Sequence, residues 1–260
     1  MNEHITSAHQ LRSLIRSGAW KQPTAGLLPG VQQANFVALP QADAFEFLLF
    51  CVRNPQVCPI IHVSEPGDPI VSLESGDADV RTDIAKYRVW RDGELVAEPH
   101  DVSEYWSDDL VGFLLGCSHT FEGPMLDAGL PLRVSAESPA PPVYLTDRET
   151  VSAGRVAGPL VVSMRSFPAE LVDEVTALTS RFPTGHGAPV HIGDPAELGI
   201  ADLATPDFGP APEVHADEVP MFWACGVTPQ LVLPHLRSHT LITHAAGHMF
   251  VFDHRVTPAR

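Results

Sequence analysis

The side chains of this 260-residue chain that could do chemistry are 13 histidines, four cysteines and a cation set made almost wholly of arginine. They gather where short apolar runs give way to Gly, Pro, Ser or Thr. Arg165 closes the run PLVVSMR, with Ser163 two residues before it. His186, His191 and Asp194 surround a strand-like run in HGAPVHIGDP, and Cys225, Gly226 and Thr228 follow MFWA. In open α/β sheets such joints, beyond the carboxyl ends of strands, are where ligands bind. The N–H groups that open a helix add a seat for a carboxylate. Arg grips carboxylates in a bidentate fork, and His and Asp move protons near neutral pH. The expected chemistry is therefore proton transfer on a small acid. Each residue also has a structural reading: Asp194 as a helix cap, Arg165 in an ion pair, either histidine as a hydrogen-bonded strut.

Two further runs carry candidates. FLLGCSHTFE holds Cys117, Ser118 and Glu122, with Gly116 expected at a helix end and Glu122 suited to acid–base work. Cys117 reads first as an inert packing group. His244 and His248 stand four apart, but Gly247 and strand-like flanks oppose a helix and no Glu lies between them, which makes a metalloprotease a poor reading. Eight histidines fall at or after His186, so a histidine-lined pocket is expected in the C-terminal half. Cys51, Cys58, Cys117 and Cys225 are spaced 7, 59 and 108 apart, which fits neither a zinc knuckle nor a CxxC pair. No cofactor and no metal ligand set is expected, with a divalent metal left open.

The elements that must hold these groups follow from periodicity. Ser7 caps a helix with Leu11, Leu14 and Ile15 inside, ended by Gly18. A strand runs through Asn35 to Leu39, and Asn35 is taken with the substrate-binding set. Residues 41–54 read as a helix with Phe45, Leu48, Leu49 and Val52 on its inner face. Asp92-Gly93 joins two strands as a hairpin. Ser107 is expected to open a helix burying Leu110, Phe113 and Leu114. Residues 134–142, with three prolines, read as a linker or exposed loop. Leu160–Met164 is a strand followed by a helix from Pro168 to Phe182. Val190–Ile192 and Met221–Ala224 are strands that lead into helices opened by Asp194-Pro195 and Thr228-Pro229. TLITHAAGHMFVFD reads as strand, tight turn, strand. The fold class is α/β, a largely parallel or mixed sheet with flanking helices and a smaller α+β subdomain. The chain is read as one catalytic unit over 1–260, with a subdomain split near 120–200 inserted into the main layer.

With 16 Lys+Arg against 32 Asp+Glu, the net charge of −16 repels phosphate backbones and anionic lipid. Nucleic-acid and membrane partners are not expected. Any acidic small-molecule substrate must be held by a local cluster of donors, and a homo-oligomer stays open. No apolar run reaches 18 residues, and the first residues lack a secretory pattern, so a cytoplasmic location is expected.

The chain resembles the D-glutamate cyclase (hydro-lyase) family across nearly its whole length. The resemblance rests on PTAGLLPGVQQANFVALP, FEFLLFCVRNPQVCPII, VSEPGDP, RTDIAKYRVWRDGELV, WSDDLVGFLLGCS, GPLVVSMR, TSRFPTGHGAPVHIGDPAELGIADL, VPMFWACGVTPQ and THAAGHMFVFD. His119, Ser166 and Ala246 depart from the usual pattern. The resemblance implies a lyase that closes D-glutamate to 5-oxo-D-proline with loss of water, and it brings no catalytic set with it. The roles expected from the chemistry are Arg165 with Ser163 or Ser118 on the α-carboxylate, and His191 with Asp194 as the acid–base pair. His186 or Glu122 would supply the second proton transfer, and backbone N–H groups at 226–228 would hold the oxyanion. Two other readings remain: a hydratase or lactam hydrolase for another small carboxylic acid, and a non-catalytic protein that binds a small acid.

Overall fold

The run VQQANFVALP is apolar or amide-bearing throughout, and nine of its ten residues are buried. A strand like that needs neighbours on both edges and cover on both faces. It is the middle of the larger sheet. In a computed structural model that describes residues 5–133 and 140–259, the chain begins with helix α1 (Ala8–Arg16) and this strand, β1 (Val31–Pro40). Helix α2 (Gln41–Arg53), β2 (Ile60–Val63), the pair β3 (Ile70–Val71) and β4 (Ala78–Asp79), and the hairpin β5 (Tyr87–Arg91) and β6 (Glu94–Ala97) follow. Next come β7 (Leu110–Gly116), helix α3 (His119–Asp127), β8 (Val143–Glu149), β9 (Pro159–Pro168) and helix α4 (Val172–Ser180). The chain then forms β10 (His191–Ile192), β11 (Glu218–Ala224), helix α5 (Val227–Val232), β12 (Leu241–His244) and β13 (Phe250–Arg255).

Two main sheets result. The first runs β2-β7-β1-β12-β5-β6, with β13 also on β1, and the second runs β10-β11-β9-β8. The expected α/β class with helices flanking the sheets is present. The ladders among the described residues are antiparallel, so strand–helix alternation here does not signal the parallel crossover that it usually does. The alternation comes instead from helices that leave one sheet and cover the other. Phe121 and Met125 of α3, which follows a strand of the first sheet, pack on Phe167, Met221 and Trp223 of the second. Val232 of α5, which follows a strand of the second sheet, packs with Val37, Phe113, Leu115 and Leu241 of the first.

Several local expectations change. Ser107 opens no helix: LVGFLLG is β7, buried along its whole length and paired with β1 from Leu110 opposite Pro40 to Gly116 opposite Ala34. A short run that is apolar on every side carries no period to tell strand from helix, and its length of seven residues suits a strand better than a helix. Gly116 therefore ends a strand, not a helix. Helix α2 forms where expected but turned: Ala44, Phe47, Phe50 and Cys51 are buried, while Phe45 and Val52 are 73% and 62% exposed. Both stripes of QADAFEFLLFCVR satisfy helical spacing, and the aromatic one wins the core. Helix α5 starts at Val227, one residue ahead of Thr228, with Gly226 as its cap. The turn opened by Asp194 is a single 3-10 turn, Pro195–Leu198, capped through the Asp194 side chain. TLITHAAGHMFVFD does form strand, turn and strand, yet β12 and β13 both ride on β1, with Thr243 opposite Val37 and Val251 opposite Gln33. The expected 134–142 loop falls mostly outside the described residues.

Gly116 fixes how β7 meets the turn Pro183–Gly185. A Cβ there would lie 1.7 Å from the Thr184 carbonyl oxygen and 2.9 Å from Pro59 Cγ. Because the clash is with backbone, Gly116→Ala is expected to cost about 3 kcal/mol, the upper range of overpacking. Thermal denaturation would register this as a lower midpoint, and an unchanged midpoint would show that the turn moves freely.

Candidate active site

Two strand-to-helix junctions meet between the sheets. β7 passes through Cys117 and Ser118 into α3, and β11 passes through Cys225 and Gly226 into α5. Asn35 of β1 ties them together. Its Nδ2 donates to the Gly116 carbonyl at 2.6 Å, and a Cβ on Gly226 would fall 2.1 Å from the same nitrogen. Only a residue without a side chain fits beside Asn35 in this arrangement.

Side chains alternate along a strand, so Ser163 and Arg165 share the face of β9 that α3 covers. Trp223 stands opposite Ser163, and Met221 opposite Arg165. The Arg165 guanidinium, 6% exposed, lies 5.1 Å from the Phe121 ring and 5.7 Å from the Trp223 ring, a cation held between two π faces. Its Nη2 pairs with Glu122 Oε1 and donates to Ser118 Oγ at 3.2 Å, while Nη1 donates to Ser163 Oγ at 3.3 Å. Glu122 Oε2 meets His119 Nδ1 at 2.8 Å. Arg carries five N–H donors. Three are engaged, so Nε–H and one Nη1–H have no acceptor among the described residues.

Electrostatics divides the roles. Burial alone would raise the Glu122 carboxyl, but His119 and Arg165 outweigh it and hold it at about 2. Glu122 is thus a permanent anion that fixes Arg165 and His119 rather than a proton carrier near pH 7. Burial, offset by the His119 N–H, pushes the Cys117 thiol up to about 12, and burial also raises Cys225. His186 is 1% exposed and brought down to about 4 by burial, with Arg165 adding repulsion. Its Nδ1 faces the Gln56 carbonyl at 2.8 Å, so the neutral ring carries its proton there and presents Nε2 as a lone pair. The His186 backbone sits at φ 73°, a left-handed position that non-glycine residues adopt only where the surroundings impose it.

The structure thus gathers Asn35, Ser118, Glu122, Ser163, Arg165, Cys225 and Gly226, with His186 close enough to feel Arg165. It does not gather His191 and Asp194 with them. His191 stands opposite Phe222, on the other face of the second sheet, and its ring lies 5.7 Å from that side chain. Its Nε2 donates to the Asp194 backbone carbonyl at 2.8 Å, while the Asp194 carboxylate caps Ala196. The pair is a cap and a strut. Thr228 is also structural: its hydroxyl accepts from Val161 N–H at 3.1 Å and its own N–H donates to the Cys225 carbonyl. His244 fills the break between β12 and β13, where Phe36 N–H donates to its Nδ1 at 3.1 Å and Gln230 lies alongside. His248 Nδ1 turns to the Ala246 carbonyl, and its neighbour Met249 packs on Cys117. Residue-type reasoning gave His119 no role, although its spacing of three from Glu122 on a helix was the available signal.

A family model described as D-glutamate cyclase matches residues 111–253. A relative from Bordetella pertussis bearing the provisional name hydro-lyase is 55% identical over 95% of this chain and 89% of its own length. Relatives of the same name from Bacillus licheniformis and Geobacillus kaustophilus are 52% and 50% identical, over 95% and 96% of this chain and 94% and 95% of theirs. The chain belongs to the D-glutamate cyclase family. The family match spans Cys117, Glu122, Arg165, His186 and Cys225. Among solved structures, a nitrogen repressor-like protein from Methanococcus jannaschii aligns over 96% of this chain and 99% of its own at a TM-score of 0.40 and 9% identity. Among the described residues, no helix is long and apolar enough to cross a membrane, and no three His, Cys, Asp or Glu side chains converge to hold a metal ion.

Proposed function

We propose that this D-glutamate cyclase family member is a hydro-lyase that closes D-glutamate to 5-oxo-D-proline. The observation that carries the reading is Arg165, buried between two aromatic rings and fixed by Glu122, with two N–H donors left for a carboxylate. Arg165 holds the α-carboxylate. His186, neutral and with Nε2 unengaged, takes a proton from the α-ammonium. The amine then attacks the γ-carboxyl carbon and the C–N bond forms; His186 returns its proton to one γ-oxygen and relays the second amine proton to the same oxygen, so the C–O bond breaks and that oxygen leaves as water. Thr228 N–H is committed to the Cys225 carbonyl, which leaves Gly226 N–H as the backbone donor at this junction for the developing oxyanion.

Groups driven far from their ordinary titration range beside a buried Arg favour an enzyme over a passive acid-binding protein. The test is NMR of chelator-treated protein with D- or L-glutamate. Formation of 5-oxoproline from the D-isomer alone is expected. Absence of product from either isomer, with or without added divalent metal, would remove the cyclase reading and leave hydration of another small acid to be tested.

A further inference from the structure

Helix α2 keeps an apolar stripe that nothing in the chain covers. Ala44, Phe47, Phe50 and Cys51 take its inner face, where the Phe47 ring meets Phe113 of β7 at 4.9 Å. On the outer side Ala42, Phe45, Leu49 and Val52 follow one another at spacings of 3, 4 and 3. That is the spacing of the positions through which one helix seats on another. Ala42, Phe45 and Val52 are exposed and Leu49 is half-buried. Among the described residues Phe45, at 73%, is the most exposed large apolar side chain, and Val52 and Val151 come next. Val151 sits at the C-terminal end of the same helix: its N–H donates to Asn54 Oδ1 and its carbonyl accepts from Asn54 Nδ2. From there residues 151–155 run back along α2 and are pinned to it. Arg53 Nη1 donates to the Ser152 carbonyl at 2.6 Å, and Arg155 Nη2 reaches Asp43 at 2.6 Å and Glu46 at 2.7 Å. Single exposed apolar residues need no explanation, but a continuous stripe on a helix fixed at both ends marks a contact surface.

We propose that the occupant of this stripe is a second copy of the chain, with α2 packed antiparallel on α2 about a twofold axis. Charge decides for a second copy. At the N-terminal end of the helix Asp43 and Glu46 share the one cation Arg155, which leaves a negative charge in excess. At the C-terminal end Arg53 is exposed and pairs with no carboxylate among the described residues, which leaves a positive one. A twofold across the helices lays each acidic end on the basic end of the other copy, and the same residues then serve on both sides. The opposed helix dipoles add to the match. A parallel pair would set like on like at both ends. In the antiparallel pair Ala42 faces Val52 of the partner subunit and Phe45 faces Leu49 of the partner subunit, small against branched and ring against branched. Each copy carries a net charge of −16, so two copies repel at long range. An apolar stripe with complementary ends is what lets them meet on this face.

Sedimentation velocity of the full chain over a dilution series should show a species of twice the chain mass. Phe45→Glu changes a side chain that faces solvent in the single chain, so the circular dichroism should stay as in wild type. It should weaken the dimer at least about 30-fold, the scale of an aromatic anchor at an interface centre. Arg53→Glu sets two acidic ends together and should weaken it about tenfold. Direction is read by cross-linking under a mild oxidant. The double variant Ala42→Cys with Val52→Cys should form a disulfide-linked dimer, while either single variant should behave as wild type. A wild-type chain that keeps the monomer mass throughout the series would overturn the proposal and leave the stripe to a different partner. A dimer that both Phe45→Glu and Arg53→Glu leave intact would overturn it as well, by placing the interface elsewhere. Cross-linking through Val52→Cys alone would overturn the antiparallel arrangement.

Discussion

Arg165→Met is expected to destabilise the folded chain by about 3–5 kcal/mol and to abolish turnover, because it strands the Glu122 carboxylate in the interior. At this chain length that corresponds to a melting midpoint lower by on the order of 10 °C. The decisive comparison is the double variant Arg165→Met with Glu122→Gln. Removing both charges leaves no unpaired ion, so most of the lost stability should return while activity does not. His119 would lose its carboxylate partner at 2.8 Å, which limits the recovery. Losses that simply add, with no recovery in the double variant, would mean that Arg165 contributes through its packing on Phe121 and Trp223 rather than through the ion pair. Glu122→Gln alone should leave Arg165 anchored by Ser118 and Ser163 only, raising KM for the acid more than it lowers stability.

The sequence made the second half of the site legible and the first half misleading, for a physical reason. Cys225 and Gly226 follow the end of β11, a break that survives folding, whereas Ser163 and Arg165, expected at a strand end, lie inside β9, which runs on to Pro168. The first junction was hidden because LVGFLLG is apolar on all sides, and reading it as a helix turned Gly116 from a strand end into a helix end. Residue type alone places Ser118 and Glu122 with Arg165 in the sequence reading; with β7 misread, the strand that carries them there goes unseen. The antiparallel direction of the ladders was equally invisible, since a helix after a strand looks the same whether it returns to its own sheet or crosses to another. His191 and Asp194 looked functional because both residue types serve in capping and in catalysis. Which face of the second sheet His191 occupies in β10 is set by its pairing register with β11, and sequence spacing alone does not encode it.

Two buried histidines should make the protein acid-labile well before its carboxylates titrate. His186 and His244, 1% and 2% exposed, are both brought down to about 4, chiefly by burial, with Arg165 repelling the first and His248 and Arg88 the second. An unfolded histidine titrates near 6.5. Between those values the unfolded chain binds protons that the folded chain refuses, so folding stability falls as pH drops from about 6.5 toward 4. Each histidine contributes at most about 3 kcal/mol of that loss, and His62 and His248, shifted the same way, add to it. Glu122 works in a lower window. Its folded value near 2 lies below that of an unfolded carboxyl, so its contribution is complete above about 4.5 and is lost as pH falls toward 2. Urea midpoints measured from pH 7.5 to 4 should therefore decline with a slope steeper than one titrating group can give. His244→Asn should flatten the decline above pH 4 without touching the Glu122 window below it. A midpoint that stays level from pH 7 to 5 would mean that these imidazoles take up protons in the folded state. In that case His186 could not present a neutral Nε2 to the substrate ammonium below pH 6.5.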